Sequence, residues 1–153
     1  MGVFGIISWI RLKKLKEVNK QYFVLLGAYL AIAFTYFIFE IVKINYAPDS
    51  PAGDLKASYP SSHVFIGCAL LLVNSYSAMV LLRPGKKWLL VLLFIGTGFV
   101  CLLELLSRML SAKHWLTDII ASVILVGAIY PLFIFVSHQF NKVNEEEKPE
   151  IEE

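Results

Sequence analysis

This sequence is poor in charge and in cysteine. Charged residues make up 17% of its 153 positions, and the formal net charge is only +2. That balance does not favour nucleic acid as a partner, because such proteins carry a clustered basic excess. The two cysteines, Cys68 and Cys101, lie inside apolar runs, and their spacing fits neither a metal site nor a disulfide framework. We interpret both as small apolar fillers.

Several familiar motifs are also missing. The sequence contains no HExxH zinc motif, no cluster of carboxylates and no P-loop. Its first ten residues are apolar, but the basic cluster follows them, which is the reverse of a secretory signal peptide. Ile6 stands where myristoylation requires Ser or Thr. Ten apolar residues are too few to span a bilayer, so we expect residues 1–21 to form a basic, interfacial N-terminal segment.

Apolar residues, in contrast, are abundant. They make up 58% of the chain, and the mean hydropathy is +0.67, whereas soluble domains are about 45–50% apolar. A membrane-spanning helix needs about 20 mainly apolar residues, and none of the long runs alternates as a strand would. The sequence therefore predicts an all-α, multi-pass transmembrane bundle within a membrane domain at 22–137. Its four expected spans are 22–44, 64–82, 88–106 and 115–137.

The distribution of Lys and Arg predicts how the bundle is oriented. Basic residues concentrate before the first span, in the turn at 83–87 and after the fourth span. The positive-inside rule assigns these segments to the cytoplasm. Both termini should then be cytoplasmic, including an acidic, solvated tail at 138–153. The loops at 45–62 and 107–114 should share the extracytoplasmic face of the cell membrane.

The second of these loops carries candidate catalytic residues. His114 and Asp118 are four residues apart, so on a helix they share a face. A carboxylate beside one imidazole nitrogen strengthens the other nitrogen as a nucleophile or base. Alternatively, Asp118 only caps its helix and His114 is an interfacial residue. Arg108 matches the bidentate geometry of a phosphate, although interfacial arginines that extend towards water are common.

The first loop ends in Pro60-Ser61-Ser62-His63, directly before the second span. The free backbone amides at the start of a helix bind phosphate, and serine hydroxyls add further donors. His63 is suited to carry a proton to a leaving group, unless it is a plain interfacial histidine. His138 follows the fourth span and belongs to the other face.

These motifs resemble those of the type 2 phosphatidic acid phosphatase family, the lipid phosphatase and vanadium haloperoxidase-like superfamily. Ser107-Arg108, five residues, His114, three residues and Asp118 match its third signature. Four fixed residues at set spacing arise by chance about once in 10⁵ starts. Pro60-Ser61-Ser62-His63 resembles the second signature, Pro-Ser-Gly-His, with Ser62 in place of glycine.

The first signature of that family, Lys, six residues, Arg-Pro, is degenerate here. Lys43, six residues and Ser50-Pro51 keep the lysine and the proline but lack the arginine. A second register, Glu40, six residues and Ala47-Pro48, lacks both charged residues. It includes the segment Ile44-Asn45-Tyr46-Ala47-Pro48, which resembles Asn-Tyr-Arg-Pro stretches of some bacterial members. The family core usually has six membrane helices, whereas four spans are predicted here. A homo-oligomer that completes the bundle is one option.

The resemblance implies a lipid phosphatase with a phosphohistidine intermediate and no metal or other cofactor. His114 is the implied nucleophile, Asp118 orients it and His63 protonates the leaving group. The implied phosphate-binding residues are Arg108, Ser61, Ser62 and, more weakly, Lys43. The substrate would be a lipid phosphate in the bilayer: phosphatidic acid, phosphatidylglycerophosphate or a polyprenyl diphosphate, as in bacterial undecaprenyl diphosphatases.

Two other interpretations stay open. The degenerate first signature and the missing helices also suit a non-catalytic member that binds a lipid phosphate or acts as a membrane scaffold. A purely structural membrane protein with interfacial histidines is the third interpretation. Short loops and small size are typical of bacterial members.

Overall fold

A computed structural model describes residues 19–51, 54–82, 85 and 87–146, with side chains of the last helix as far as 141. Most of the expected N-terminal segment lies outside the described residues, as does the end of the acidic tail from 147 onwards. Arg83 and Lys86, which contributed to the predicted orientation, also lie outside them.

Four helices make up the described part of the chain, each long and apolar enough to cross a membrane. The prediction of an all-α, multi-pass bundle is therefore confirmed. In chain order the helices are α1 (Lys20–Ile41), α2 (Ser62–Leu82), α3 (Lys87–Leu110) and α4 (Leu116–Glu146). Strand pairing within the described residues is limited to one isolated antiparallel bridge between Tyr46 and Ala57.

Two helices extend beyond the ends expected from hydropathy. α3 continues past 106 to Leu110, and α4 continues past 137 to Glu146, through Pro131. In α3 the extension is supported by Glu104, whose carboxylate accepts a hydrogen bond from Arg108 one turn later. Hydropathy marks where a chain leaves the hydrocarbon, whereas polar residues with local partners allow a helix to continue into the interface.

Helix α2 is the centre of the bundle. It packs against α1, α3 and α4, and α4 also packs against α1, whereas α1 and α3 do not contact each other within the described residues. The outward faces of α1, α3 and α4 carry large exposed apolar side chains, as lipid contact requires. The buried core lies along α1, α2 and α4 and includes Leu25, Ile32, Val64, Phe65, Val73 and Phe133.

A buried polar cluster joins α1, α2 and α4 near one end of the bundle. The amide of Gln21 donates to the Ser77 hydroxyl at 3.2 Å, and its carbonyl oxygen accepts from the Ser137 hydroxyl and, at 3.3 Å, from the Asn141 amide. We call Gln21, Ser77, Ser137 and Asn141 the distal cluster. It lies about 20–30 Å along the helix axes from the opposite end, where α2 and α4 begin.

Candidate active site

The first loop folds back on itself and docks against the start of α4. Its two arms are joined by backbone hydrogen bonds from Ala47 N to Lys56 O at 2.9 Å and from Ser58 N to Asn45 O at 3.0 Å. The indole N–H of Trp115 donates to the carbonyl oxygen of Tyr46 at 2.8 Å. The two polar loops, which are far apart in the sequence, therefore meet at one end of the bundle.

Backbone contacts also hold the starts of α2 and α4 together. The Ser61 amide donates to the Asp118 carbonyl oxygen at 3.2 Å. The buried hydroxyl of Ser122 lies 3.0 Å from the Ser61 carbonyl oxygen and 2.8 Å from that of Asp118. The first turn of α2, which carries His63, and the segment that carries His114 are thereby fixed relative to each other.

His114 is oriented by a backbone carbonyl. Its Nδ1 lies 2.9 Å from the carbonyl oxygen of Ser58. A carbonyl oxygen only accepts, so Nδ1 must carry a proton, and in the neutral ring the lone pair is on Nε2. The nearer carboxylate oxygen of Asp118 lies 3.8 Å from Nδ1, which is electrostatic contact but beyond hydrogen-bond distance. Ser58, rather than Asp118, therefore contacts His114 directly.

Asp118 is fully buried and its carboxylate is satisfied by other donors. One oxygen accepts from the backbone N–H of Trp115 at 3.0 Å, an N-terminal capping contact of α4. The other accepts from the Asn45 amide at 3.2 Å. The four-residue spacing does bring Asp118 beside His114, and the same carboxylate caps the helix and holds the first loop.

Two adjoining cavities contain the two histidines. The smaller, of about 50 Å³, is lined by His114, Glu40 and the loop that precedes α2. The larger, of about 350 Å³, is lined by His63 and Glu104, among others. Ser62, together with Tyr36, lines both cavities. The larger volume is within the range of small-molecule pockets, so it offers space for a ligand beside His63, next to the smaller cavity that His114 lines.

Hydrogen-bond donors without partners surround the start of α2. The hydroxyls of Ser58 and Ser61 are buried and have no partner among the described residues. The first backbone N–H groups of a helix, here those of Ser62 and His63, have no partner within the helix. Buried polar groups are nearly always satisfied in native proteins, so this concentration of donors points to a site for an anionic or polar group.

The two expected cationic phosphate ligands are placed differently. Arg108 lies one turn from Glu104, and its Nε donates to the Glu104 carboxylate at 3.3 Å. Lys43 is exposed just after α1, and it lines neither of the two cavities. Ser50, which stands where the family has arginine, accepts a hydrogen bond from Lys56 N within the first loop. Arg108, like Lys43, lines neither cavity. The structure thus brings together the histidines, Asp118, Ser61 and Ser62, and places both cations outside that group.

The sequence motifs do not predict the contacts that several residues make at this site. The Ser58 carbonyl has no sequence signal, because every residue has one. Glu40 and Asn45 both lie within the second register of the degenerate first signature, and Glu104 is an isolated carboxylate in an apolar run. Among the described residues, no three His, Cys, Asp or Glu side chains are grouped to hold a metal ion.

Comparison with known proteins gives one match. The family model described as PAP2 superfamily matches residues 42–142, which include every catalytic and phosphate-binding residue predicted from the sequence and begin directly after α1. No curated protein and no solved structure gives a significant match.

Proposed function

The chain belongs to the PAP2 superfamily, and on that premise we propose that it is a metal-independent lipid phosphatase that acts through a phosphohistidine intermediate. Membership of a superfamily composed mainly of phosphatases supports hydrolysis of a phosphoric ester or anhydride. The four apolar helices support a substrate that lies in the bilayer. That His114 is the nucleophile, and that a particular lipid phosphate is the substrate, are parts of the proposal.

The observation that carries the proposal is the hydrogen bond from His114 Nδ1 to the Ser58 carbonyl oxygen, 2.9 Å away. It leaves the Nε2 lone pair of a neutral imidazole available for attack, and His114 lines the smaller cavity. The buried Asp118 carboxylate, 3.8 Å from Nδ1, stabilises the positive charge that develops on the ring. A histidine that was only interfacial would need neither contact.

In the first step, His114 Nε2 attacks the phosphorus atom and forms an N–P bond. The bond from phosphorus to the bridging oxygen breaks, and His63 donates a proton to that leaving oxygen. In the second step, the now neutral His63 accepts a proton from water as that water attacks the phosphohistidine. The N–P bond breaks, inorganic phosphate leaves and both histidines return to their starting state.

Fixed donors stabilise the charge on the transferred phosphoryl group. The N-terminal amides of α2 and the hydroxyls of Ser61 and Ser62 supply donors on one side. Arg108 supplies positive charge from the end of α3, and Lys43 is a weaker candidate. Loss of the arginine of the first signature costs about 1.5–3 kcal/mol, or about ten- to a hundredfold in affinity or rate. Such a loss slows an enzyme of this kind without removing its nucleophile.

The proposed substrate is an amphiphile whose phosphate lies at headgroup level. Phosphatidic acid, phosphatidylglycerophosphate and polyprenyl diphosphate all satisfy this condition. The excess of Lys and Arg on the other side supports an extracytoplasmic site with both termini in the cytoplasm. Residues 22–137 would then form the membrane phosphatase domain, between the interfacial segment and the acidic tail.

A second candidate function is binding of a lipid phosphate without turnover. It is favoured by one observation: the first-signature position that carries arginine in the family is Ser50, and the nearby Lys43 lines neither cavity. In that case the donors around the start of α2 would hold a phosphate that is not hydrolysed.

Phosphate release from a panel of lipid phosphates distinguishes the two functions. The detergent-purified protein is assayed with chelator present, beside His114→Ala. Chelator-resistant release by the wild type that disappears in His114→Ala supports the phosphatase. Folded wild-type protein that binds the lipids but releases no phosphate from any of them contradicts it and favours the binding protein.

A further inference from the structure

We propose that Glu104 is the positioning residue for Arg108, holding the guanidinium by Nε so that its two Nη groups face the phosphate of the substrate. The inference rests on the proposed function and adds to it a residue that lies outside the three signatures. It concerns the phosphate-binding step rather than the nucleophile.

The contact between the two side chains leaves most of the guanidinium available. Arg108 Nε donates to Glu104 Oε1 at 3.3 Å, and both side chains are about a quarter to a third exposed. The two Nη groups, with four N–H donors, have no partner among the described residues. A phosphate prefers the paired N–H groups of a guanidinium edge. The hydrogen bond at Nε therefore fixes the direction of the Arg108 side chain and leaves both Nη groups available to bind a phosphate.

Glu104 also connects Arg108 to the cavity that contains His63. It lines this larger cavity together with Ser62 and His63. Its side chain packs on α2, since a Cβ atom at Gly67 would lie 3.9 Å from Glu104 Cγ. The carboxylate is therefore anchored between α2 and α3, one helical turn from the guanidinium that it holds.

Stability does not account for a carboxylate at this position. Glu104 is the only acidic residue of α3, and the helix around it is apolar. An exposed ion pair with a spacing of four residues stabilises a helix only slightly, whereas a carboxylate in a membrane-spanning helix is costly. Ionisable residues inside membrane helices usually serve function for this reason.

The opposite interpretation is that Glu104 competes with the phosphate for Arg108 and inhibits binding. The Nε contact favours positioning, because a competing carboxylate would be expected on the Nη groups that a phosphate uses. The two interpretations predict opposite changes in affinity when the carboxylate is removed.

The test compares Glu104→Ala and Glu104→Gln with Arg108→Ala, using KM and kcat for a lipid monophosphate. Positioning predicts that Glu104→Ala raises KM about tenfold with a smaller change in kcat, and adds little to Arg108→Ala in the double variant. Glu104→Gln keeps a carbonyl oxygen for Nε and should restore most of the affinity. Asp49→Asn, in the exposed part of the first loop, removes the same charge from the same end and should leave KM unchanged.

A lower KM in Glu104→Ala, or a KM equal to that of the wild type, overturns the inference. So does Glu104→Gln if it is as impaired as Glu104→Ala. Binding of orthovanadate to the same variants separates this inference from the proposed function. If the wild type releases no phosphate, the phosphatase proposal fails, and the order of vanadate affinities alone decides whether Glu104 positions Arg108.

Discussion

The two ends of the bundle differ in whether their buried polar side chains have hydrogen-bond partners. In the distal cluster, the Gln21 amide bonds side chains from α2 and α4, and its members satisfy one another. At the other end, the hydroxyls of Ser58 and Ser61 are buried without partners, next to two cavities. At both ends polar residues hold α2 and α4 together, so polarity alone does not distinguish a structural contact from a site.

What distinguishes a structural polar cluster from a ligand site is whether its buried polar groups are hydrogen-bonded to one another. A fully paired buried network rigidifies a fold, and removing one member leaves the others unpaired at a cost in stability. Donors that have no internal partner gain nothing for the fold and are available to a ligand. We therefore expect substitutions at the distal cluster to alter stability and substitutions near the start of α2 to alter turnover or phosphate affinity.

After His114, whose replacement should abolish phosphate release, the largest effect should follow replacement of His63. His63→Ala removes the proposed proton donor, and general acid catalysis contributes about 10²–10⁴-fold to a rate. We expect kcat to fall by that factor while the unfolding midpoint stays close to that of the wild type, because His63 is exposed in the first turn of α2. Initial rates of phosphate release and thermal unfolding in detergent measure the two quantities.

His138 provides the matched control for His63. It is an exposed histidine on α4, near the distal cluster, and His138→Ala should retain wild-type kcat. Equal losses of activity in the two variants would contradict the assignment of function to the loop end alone.

Substitutions in the distal cluster should lower the stability of the protein rather than its activity. Gln21→Ala leaves Ser77, Ser137 and Asn141 without their shared partner, and we expect the free energy of unfolding to fall by about 1–3 kcal/mol. Activity per folded molecule should not change. Denaturant titration followed by circular dichroism measures the first quantity, and Gln139→Ala, at an exposed glutamine of α4, is the control. Unchanged stability would show that the cluster does not stabilise the bundle.

The smallest effect, and the sharpest comparison, involves two fully buried serines. Ser61→Ala removes an unpartnered hydroxyl and should weaken orthovanadate binding by about two- to tenfold without loss of stability. Ser137→Ala removes a paired hydroxyl of the distal cluster and should do the reverse. Vanadate titrations and unfolding curves of both variants test this. If Ser61→Ala were the more destabilised protein, the distinction between the two ends would be wrong.

The sequence was sufficient to predict the four helices and the all-α, multi-pass fold class. Long apolar runs determine membrane-spanning helices because the bilayer requires internal hydrogen bonding along each span. The residues at which the helices end were less predictable, since the hydrogen bond between Arg108 and Glu104 lies where α3 continues beyond its apolar run. The spacing of His114 and Asp118 also predicted their proximity, but His114 lies in the turn before α4 rather than on the helix. The capping contact of Asp118 with Trp115 N directs the carboxylate back towards that turn.

Other features of the site depend on contacts that no local pattern encodes. The acceptor for His114 Nδ1 is a backbone carbonyl, brought into place by the pairing of the two arms of the first loop. The binding of Arg108 by Glu104 follows a recognisable spacing of four residues, but its relation to the larger cavity requires the packing of α3 on α2. Whether Lys43 lines a cavity likewise depends on the path of the loop after α1, and in the structure it lines neither of the two.

Trapping of a phosphoenzyme tests the central claim most directly. Purified protein is mixed with a lipid phosphate carrying ³²P, quenched within milliseconds and examined for label that is stable to base and labile to acid, as expected of phosphohistidine. The account predicts such label on the wild type and on His138→Ala, and none on His114→Ala. Label that persists in His114→Ala would contradict it.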